Sequence, residues 1–440
     1  MRVAIITLGC DKNTVDSEYI AGLLAEAGHE VFIPNESDDF DVLIVNTCGF
    51  IESAREESVR AVLEWAHIKK RRPFRLYVVG CLAGRYPKEM KESFPEVDGF
   101  AGVGKWREIV QMIEKGSVNK ALSDKRPQIK LISPMPRKKL DSLPYAFLKI
   151  ADGCSHRCSF CAIPNIKGPY RSVPRDILLA EAQSLLKGGV RELNLVAQDS
   201  NNYGTDLRPR DSLDGLLKDL LSIKSKFWVR LLYLYPRPLP PALISLMQSE
   251  KKLCPYLDIP LQHLSPDVLK RMGRPSDNRR TISMLNHWRN QIPGLTIRTT
   301  FIIGFPGETR QDVEYLLKGA RDFKFERLGA FLYSPEEGTP AYKLGKPVPK
   351  STARRRLDKL MRLQAEISLE KNQAKLGAKM EVLVEAAIPQ KNIYIARSQA
   401  DAPEVDGAVI ISSSAPLHAG DFVNVQITQA DEYDLSAKAL

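Results

Sequence analysis

The chain has 440 residues, 43% of them apolar and 27% charged, with a formal net charge of +11. That composition excludes a mainly disordered chain, a collagen and a coiled coil, and the length predicts about three domains. No apolar run reaches the roughly 18 residues a transmembrane helix needs. The N-terminus reads as a first β-strand rather than a signal peptide, so a cytoplasmic protein is expected.

Residues 1–118 alternate strand and helix signals. RVAIITLG, VFIP, DVLIVNT and RLYVVG are apolar runs, and TVDSEYIAGLLAEAG and SAREESVRAVLEWAHIKK between them have helical spacing. Near-continuous apolar strands in βα order predict an open parallel sheet covered on both faces. Residues 119–143 are rich in Lys, Arg, Pro and Ser without a period, which predicts a linker.

Residues 144–375 hold six apolar runs, AFLKIADG, LNLVAQ, VRLLYLY, LDIPLQ, IRTTFIIG and RLGAFLYS, separated by amphipathic segments. Six βα units are too few for a closed eight-fold barrel, so a partial (βα)6 barrel is expected. A long polar helix, STARRRLDKLMRLQAEISLEKNQAKLG, leads out of it. Residues 376–440 change to short alternating runs between turn residues, which predicts a small antiparallel β-barrel. The whole is an α/β protein with a β-barrel at its end.

Six of the seven cysteines fall into two sets of three. Cys10, Cys48 and Cys81 each end an apolar strand and each lies beside a glycine (Gly9, Gly49, Gly80). Ligands of open parallel sheets bind outside the carboxyl ends of the strands, so three such loops can converge. Three unrelated buried cysteines remain the plain alternative, and zinc a second one. Zinc favours four ligands or tight CxxC pairs, so three thiolates suit an iron–sulfur cluster with one open iron better.

The second set is ADGCSHRCSFCAIP, with Cys154, Cys158 and Cys161 in CxxxCxxC spacing after the first strand of the second part. No fourth cysteine follows, so one iron of a 4Fe-4S cluster stays open to chelate a substrate amine and carboxylate. His156 inside this loop reads as solvent-facing, and Cys254, off both patterns, as a small core hydrophobe.

This spacing, with Phe160 before the third cysteine and six βα units around it, resembles the radical S-adenosylmethionine (SAM) superfamily. Over its full length the chain resembles the methylthiotransferases: an N-terminal domain with three cluster cysteines, a radical SAM barrel and a C-terminal TRAM barrel. TLGCDKNTVDSE, NTCGFIESAREES, GCLAGRY, AQDSNNYGTDL and YSPEEGTPAY resemble the branch that modifies an aspartate of the twelfth small-subunit ribosomal protein. Asp11 stands where that branch usually has proline.

The resemblance implies two 4Fe-4S clusters, held by Cys10, Cys48 and Cys81 and by Cys154, Cys158 and Cys161. It implies SAM as radical source and methyl donor, with hydrogen abstraction at the aspartate β-carbon followed by methylthio transfer. It implies SAM contacts from strand ends, with Phe160, Gln198, Asp199, Gln262, Arg298 and Gly304 as candidates. Gln198 would accept from the methionyl amine, Arg298 would pair with the carboxylate, and Gly304 would let backbone approach the adenosine.

The partners expected are a basic ribosomal protein and an electron donor of flavodoxin or ferredoxin type. No membrane is expected; tRNA adenosine, the substrate of a sister branch, is one alternative, and a non-catalytic iron–sulfur protein associated with the ribosome is the other. Residues 376–440 hold four Lys/Arg against nine Asp/Glu. An acidic tail repels RNA and attracts a basic protein.

Overall fold

The computed structural model describes every residue except 36–37, 117–119, 123–133 and 389–391. The first unit is a wholly parallel six-stranded sheet. Its strands are Arg2–Thr7, Glu30–Phe32, Val42–Thr47, Arg75–Gly80, Gly99–Ala101 and Lys120–Leu122, in spatial order second, first, third, fourth, fifth, sixth. All six residues of Val42–Thr47 are buried, as a continuous apolar run in a doubly covered sheet demands. The strand order reverses between Arg2–Thr7 and Val42–Thr47, the crevice where such sheets bind ligands. Cys10 and Cys48 follow those two strands.

The last two strands are three residues each, too short to show a period. Lys120–Leu122 falls in the expected linker and extends the sheet instead. The end of that segment is also pinned. Arg137 is buried between Glu18 of the first unit and Glu181 of the second, and Lys138 donates its N–H to Glu18 O at 3.1 Å. A strap rich in Lys and Arg here is held by buried carboxylates, which its composition alone does not reveal; residues 123–133 lie outside the described ones.

The second unit is the expected six-stranded parallel sheet of an open barrel. Tyr145–Lys149, Glu192–Val196, Trp228–Leu231, Leu253–Asp258, Thr296–Ile303 and Arg327–Leu332 lie side by side in chain order. Cys254 is fully buried in this core. The helix Lys350–Gln373 packs back on the last strand rather than leading away.

The third unit is a closed five-stranded barrel. Its pairings are antiparallel with one exception: Val409–Ser412 runs parallel to Leu435–Ala439.

Two acids of the tail, Asp401 and Asp406, are not free surface. Asp401 is paired with Arg327, Asp406 accepts from Tyr256 OH at 2.6 Å and lies 3.4 Å from Arg298, and the Arg397–Glu192 pair crosses the same junction at 2.8 Å. Asp401 and Asp406 side chains are each only 3% exposed. Two of the acids counted as a face for a basic partner thus neutralise arginines of the second unit, and the tail's net charge overstates the acidic surface.

Burial would raise the Asp401 and Glu192 carboxyls, but Arg327 and Lys375 around Asp401, and Arg230 and Arg397 around Glu192, outweigh it and hold both below the usual carboxylate range. A depressed carboxyl stabilises fully above its unfolded pKa, about 4, and that contribution is lost as pH falls through the folded value. Docking of the third unit is therefore expected to be constant from pH 7 to about pH 5 and to weaken below about pH 4. Limited proteolysis between the units across that range checks it, and undiminished protection at pH 3 would contradict it.

Candidate active site

Each cysteine of the first set sits at a turn that feeds a helix. Cys10 is the N-cap of Asp11–Glu26, Cys48 precedes Glu52–Lys69, and Cys81 is the first residue of Cys81–Arg85. Helix N-termini favour the thiolate form. The loops are in close contact. A Cβ on Gly9 would stand 2.6 Å from Cys48 Cβ, and one on Gly49 2.8 Å from Leu82 Cα. Asn13 ties two of these strand ends together, donating to Leu8 O at 2.8 Å and Thr47 O at 3.2 Å.

Gly80 has φ +96°, and a Cβ there would meet Asn46 Oδ1 at 2.3 Å. Gly80→Ala is expected to lower unfolding stability by about 1–3 kcal/mol, the cost of holding alanine in a backbone region that essentially only glycine adopts. It should also reduce iron retained on the first triad. Urea unfolding and iron analysis check this, and a variant equal to the parent in both would contradict it.

Cys154, Cys158 and Cys161 wrap a loop at the carboxyl end of the second sheet. Cys154 N–H donates to Gly168 O, Cys161 N–H to Cys158 O, and Ser159 is pinned to Met272 O and Arg271 O. The backbone N–H two residues ahead donates to the sulfur at three of the six cysteines: Phe50 to Cys48, His156 to Cys154 and Ile163 to Cys161. Such bonds favour an anionic sulfur. Burial works the other way, pushing Cys154 up to about 11 and Cys161 to about 12, and raising Cys48 and Cys81. Buried thiols facing each other stay protonated until a cation displaces the protons, which is what metal coordination does.

Among the described residues no three His, Cys, Asp or Glu side chains are arranged to hold one metal ion. A cluster differs from a single ion because each cysteine binds a different iron. The donor sets therefore fit 4Fe-4S clusters by residue type and by the N–H donors on their sulfurs.

The two triads share one interface. Helix Cys81–Arg85, which starts on the third cysteine of the first set, packs against helix Ile163–Lys167, which starts two residues past Cys161. Lys167 is 2% exposed, 3.2 Å from Asp152 and 3.8 Å from Asp16, and its charge is felt at Cys10 and Cys81. Lys149, 1% exposed, bonds Asp16 and lies 3.2 Å from Asp152. Burial opposes the Asp152 carboxylate, yet Lys167 and Lys149 hold it well below the usual range. Two buried cations and two buried carboxylates, one from the first unit, lie between the cysteine sets.

The loop after the last barrel strand completes the junction. Glu336, 2% exposed, accepts from Arg55 and Arg85 of the first unit, and the Glu52 N–H donates to Ser334 Oγ at 3.2 Å. The segment that follows reaches the cluster loop, with Ala341 N–H on Ser159 O at 2.8 Å.

The SAM candidates fall into three groups. Gln198 and Asp199 lie beside the second triad: Gln198 Nε2 is 3.4 Å from Asp152, and Asp199 holds His156 at 2.7 Å. Each has a buried oxygen with no partner, Gln198 Oε1 and Asp199 Oδ1. Phe160 packs half-buried against the cluster of Val268, Met272, Phe305 and Ala341, and Gln262 takes φ +71° at a bridge to Phe301.

Arg298 is engaged by Asp258 at 3.3 Å and Asp406 at 3.4 Å rather than held free for a carboxylate. Gly304 makes its close approach to the chain's own helix, where a Cβ would stand 2.8 Å from Ala353 Cβ. His156 is not simply solvent-facing: it stacks on Tyr235 at 3.9 Å as well as bonding Asp199. Lys167, Lys149, Asp16, Asp152 and Glu336 escape sequence reasoning. Lys167, six residues past Cys161 in CAIPNIKG, was the one with a positional signal.

Residues 2–102 match the uncharacterized protein family UPF0004, 148–319 the radical SAM superfamily and 376–440 the TRAM domain. The fold is also that of solved radical SAM enzymes. The methyltransferase TsrM from Kitasatospora setae superposes with a TM-score of 0.57 at 12% identity, covering 86% of this chain and 76% of that one. The chain is thus a radical SAM enzyme carrying two further domains.

It is 44% identical to the ribosomal protein uS12 methylthiotransferase RimO of Carboxydothermus hydrogenoformans, over 100% of this chain and 99% of that one. The RimO of Desulforudis audaxviator is 43% identical over 100% and 97%. The chain belongs to the RimO family of radical SAM methylthiotransferases. SAM and a 4Fe-4S cluster follow from that membership. No helix among the described residues is long and apolar enough to cross a membrane.

Proposed function

We propose that this chain replaces a C–H bond by C–SCH3 at the β-carbon of an aspartate in ribosomal protein uS12, with SAM as methyl donor and radical source. The observation that carries this reading is the packing of helix Cys81–Arg85 on helix Ile163–Lys167, which brings both cysteine sets to one interface. Two 4Fe-4S clusters there would supply the electron that cleaves SAM and the site that carries the sulfur to be delivered.

Cys10, Cys48 and Cys81 would hold one cluster and Cys154, Cys158 and Cys161 the other. The partnerless Gln198 Oε1 is an acceptor for the methionyl amine, and Asp199 holds His156 in place below the second triad. Phe160 and Gln262 would border SAM. Arg298, already neutralised by Asp258 and Asp406, supports the strand end rather than the carboxylate, and Gly304 seats the last helix. Electrons would come from a flavodoxin or ferredoxin, and the reaction would take place in the cytoplasm.

The test is an anaerobic competition. Reconstituted enzyme, reductant and SAM are mixed with uS12 and unmodified tRNA, and mass spectrometry follows both. The added methylthio group is expected on the uS12 aspartate; modification of tRNA alone would overturn the substrate assignment.

A further inference from the structure

We infer that the exposed row of cations at the start of helix Lys350–Gln373 is a docking surface for the phosphate backbone of RNA. Lys346, Lys350, Arg354, Arg355, Lys359 and Arg362 are all exposed, and the stretch from 346 to 362 has one acid, Asp358. Among the described residues none of the six has a carboxylate partner.

The neighbouring helix Arg310–Phe323 shows what an ordinary solvated face looks like here. Arg310 pairs with Glu314 and Lys318 with Asp322, each four residues on, and Lys324 just beyond takes Glu370. The cation row lacks that interspersion, so it carries a local positive field that attracts a polyanion. From Lys350 to Arg362 the helix rises about 18 Å, enough to follow several phosphates of one strand.

The row is anchored on the end of a barrel strand. Ala353 touches Gly304, and Val348 N–H donates to Gly304 O at 3.2 Å, directly past the strand Thr296–Ile303. Tyr342, 51% exposed, stands just before it, and an exposed ring beside a row of cations suits a nucleic acid better than an acidic protein. If the substrate is uS12, this surface lets the enzyme meet it in its RNA setting; that last step rests on the proposed function, whereas the RNA contact does not.

The experiment is fluorescence anisotropy of a labelled single-stranded RNA of about 20 nucleotides and arbitrary sequence, titrated with reconstituted enzyme at several salt concentrations. The combined variant Arg354→Glu, Arg355→Glu, Lys359→Glu is compared with the parent and with Lys187→Glu, Lys218→Glu, Lys251→Glu, a control of equal charge change on exposed lysines elsewhere.

Each phosphate contact contributes about −0.7 to the slope of log K against log salt. The row variant should bind at least about tenfold more weakly and lose about 2 from that slope, while the control keeps the parent slope. No RNA binding by the parent, or equal losses in both variants, would overturn the inference. SAM cleavage at the parent rate in both variants reports that they are folded. Should none of the three proteins modify uS12, the function proposed above fails and the binding curves still decide this surface.

Discussion

Cys154→Ala is expected to abolish reductive SAM cleavage while the N-terminal triad keeps its iron. Cys154 is buried at the root of the second loop, where its N–H on Gly168 O and the His156 N–H on its sulfur fix the turn. Removing one of three thiolates leaves a cluster site that cannot close, and the difficult chemistry belongs to the cofactor rather than to a side-chain acid or base. Iron should fall from about eight to about four per chain, as one of two four-iron clusters is lost. No 5′-deoxyadenosine should form under reducing anaerobic conditions. The reciprocal variant Cys48→Ala should keep SAM cleavage and lose methylthio transfer. Persistent cleavage in Cys154→Ala would contradict the assignment of the second triad.

Glu336→Ala is expected to uncouple the two activities. Glu336 is buried against Arg55 and Arg85 across the junction of the first and second units. Removing it leaves two cations facing each other without their counter-charge, a loss of about 3–5 kcal/mol for a broken buried pair. The second triad and its barrel are untouched, so SAM cleavage should continue. Transfer to substrate should fall steeply, because it needs the first unit held against the second. The ratio of methylthiolated product to 5′-deoxyadenosine measures this, and a ratio equal to the parent's would show that the Glu336 contact is dispensable.

What could be read from the sequence follows physical lines. The strand Val42–Thr47 and the six barrel strands are apolar runs of four or more residues, and such runs announce buried parallel strands. Gly99–Ala101 and Lys120–Leu122 are three residues long and carry no period. The cysteines were legible because strand-end position and spacing both mark them, and the glycines beside them do allow the close approaches expected at Gly49 and Gly80.

The interdomain chemistry was not legible. DKNTVDSE is almost wholly polar, yet Asp11, Lys12, Asn13, Asp16, Ser17 and Glu18 are all buried. Two of them, Asp16 and Glu18, are paired with cations more than a hundred residues away, Lys149 and Arg137. The same blindness affected the tail: a charge count cannot tell an acid that meets solvent from Asp401, which meets Arg327.

Both triads are expected to open on one interface and work as a pair. The most direct measurement is the electron paramagnetic resonance spectrum of the fully reduced, reconstituted enzyme. It is compared with the sum of spectra from two variants, one with Cys10, Cys48 and Cys81 replaced by alanine, the other with Cys154, Cys158 and Cys161 replaced. Spin coupling between neighbouring clusters should broaden and reshape the parent spectrum beyond that sum. A parent spectrum equal to the sum would place the clusters apart and contradict the account.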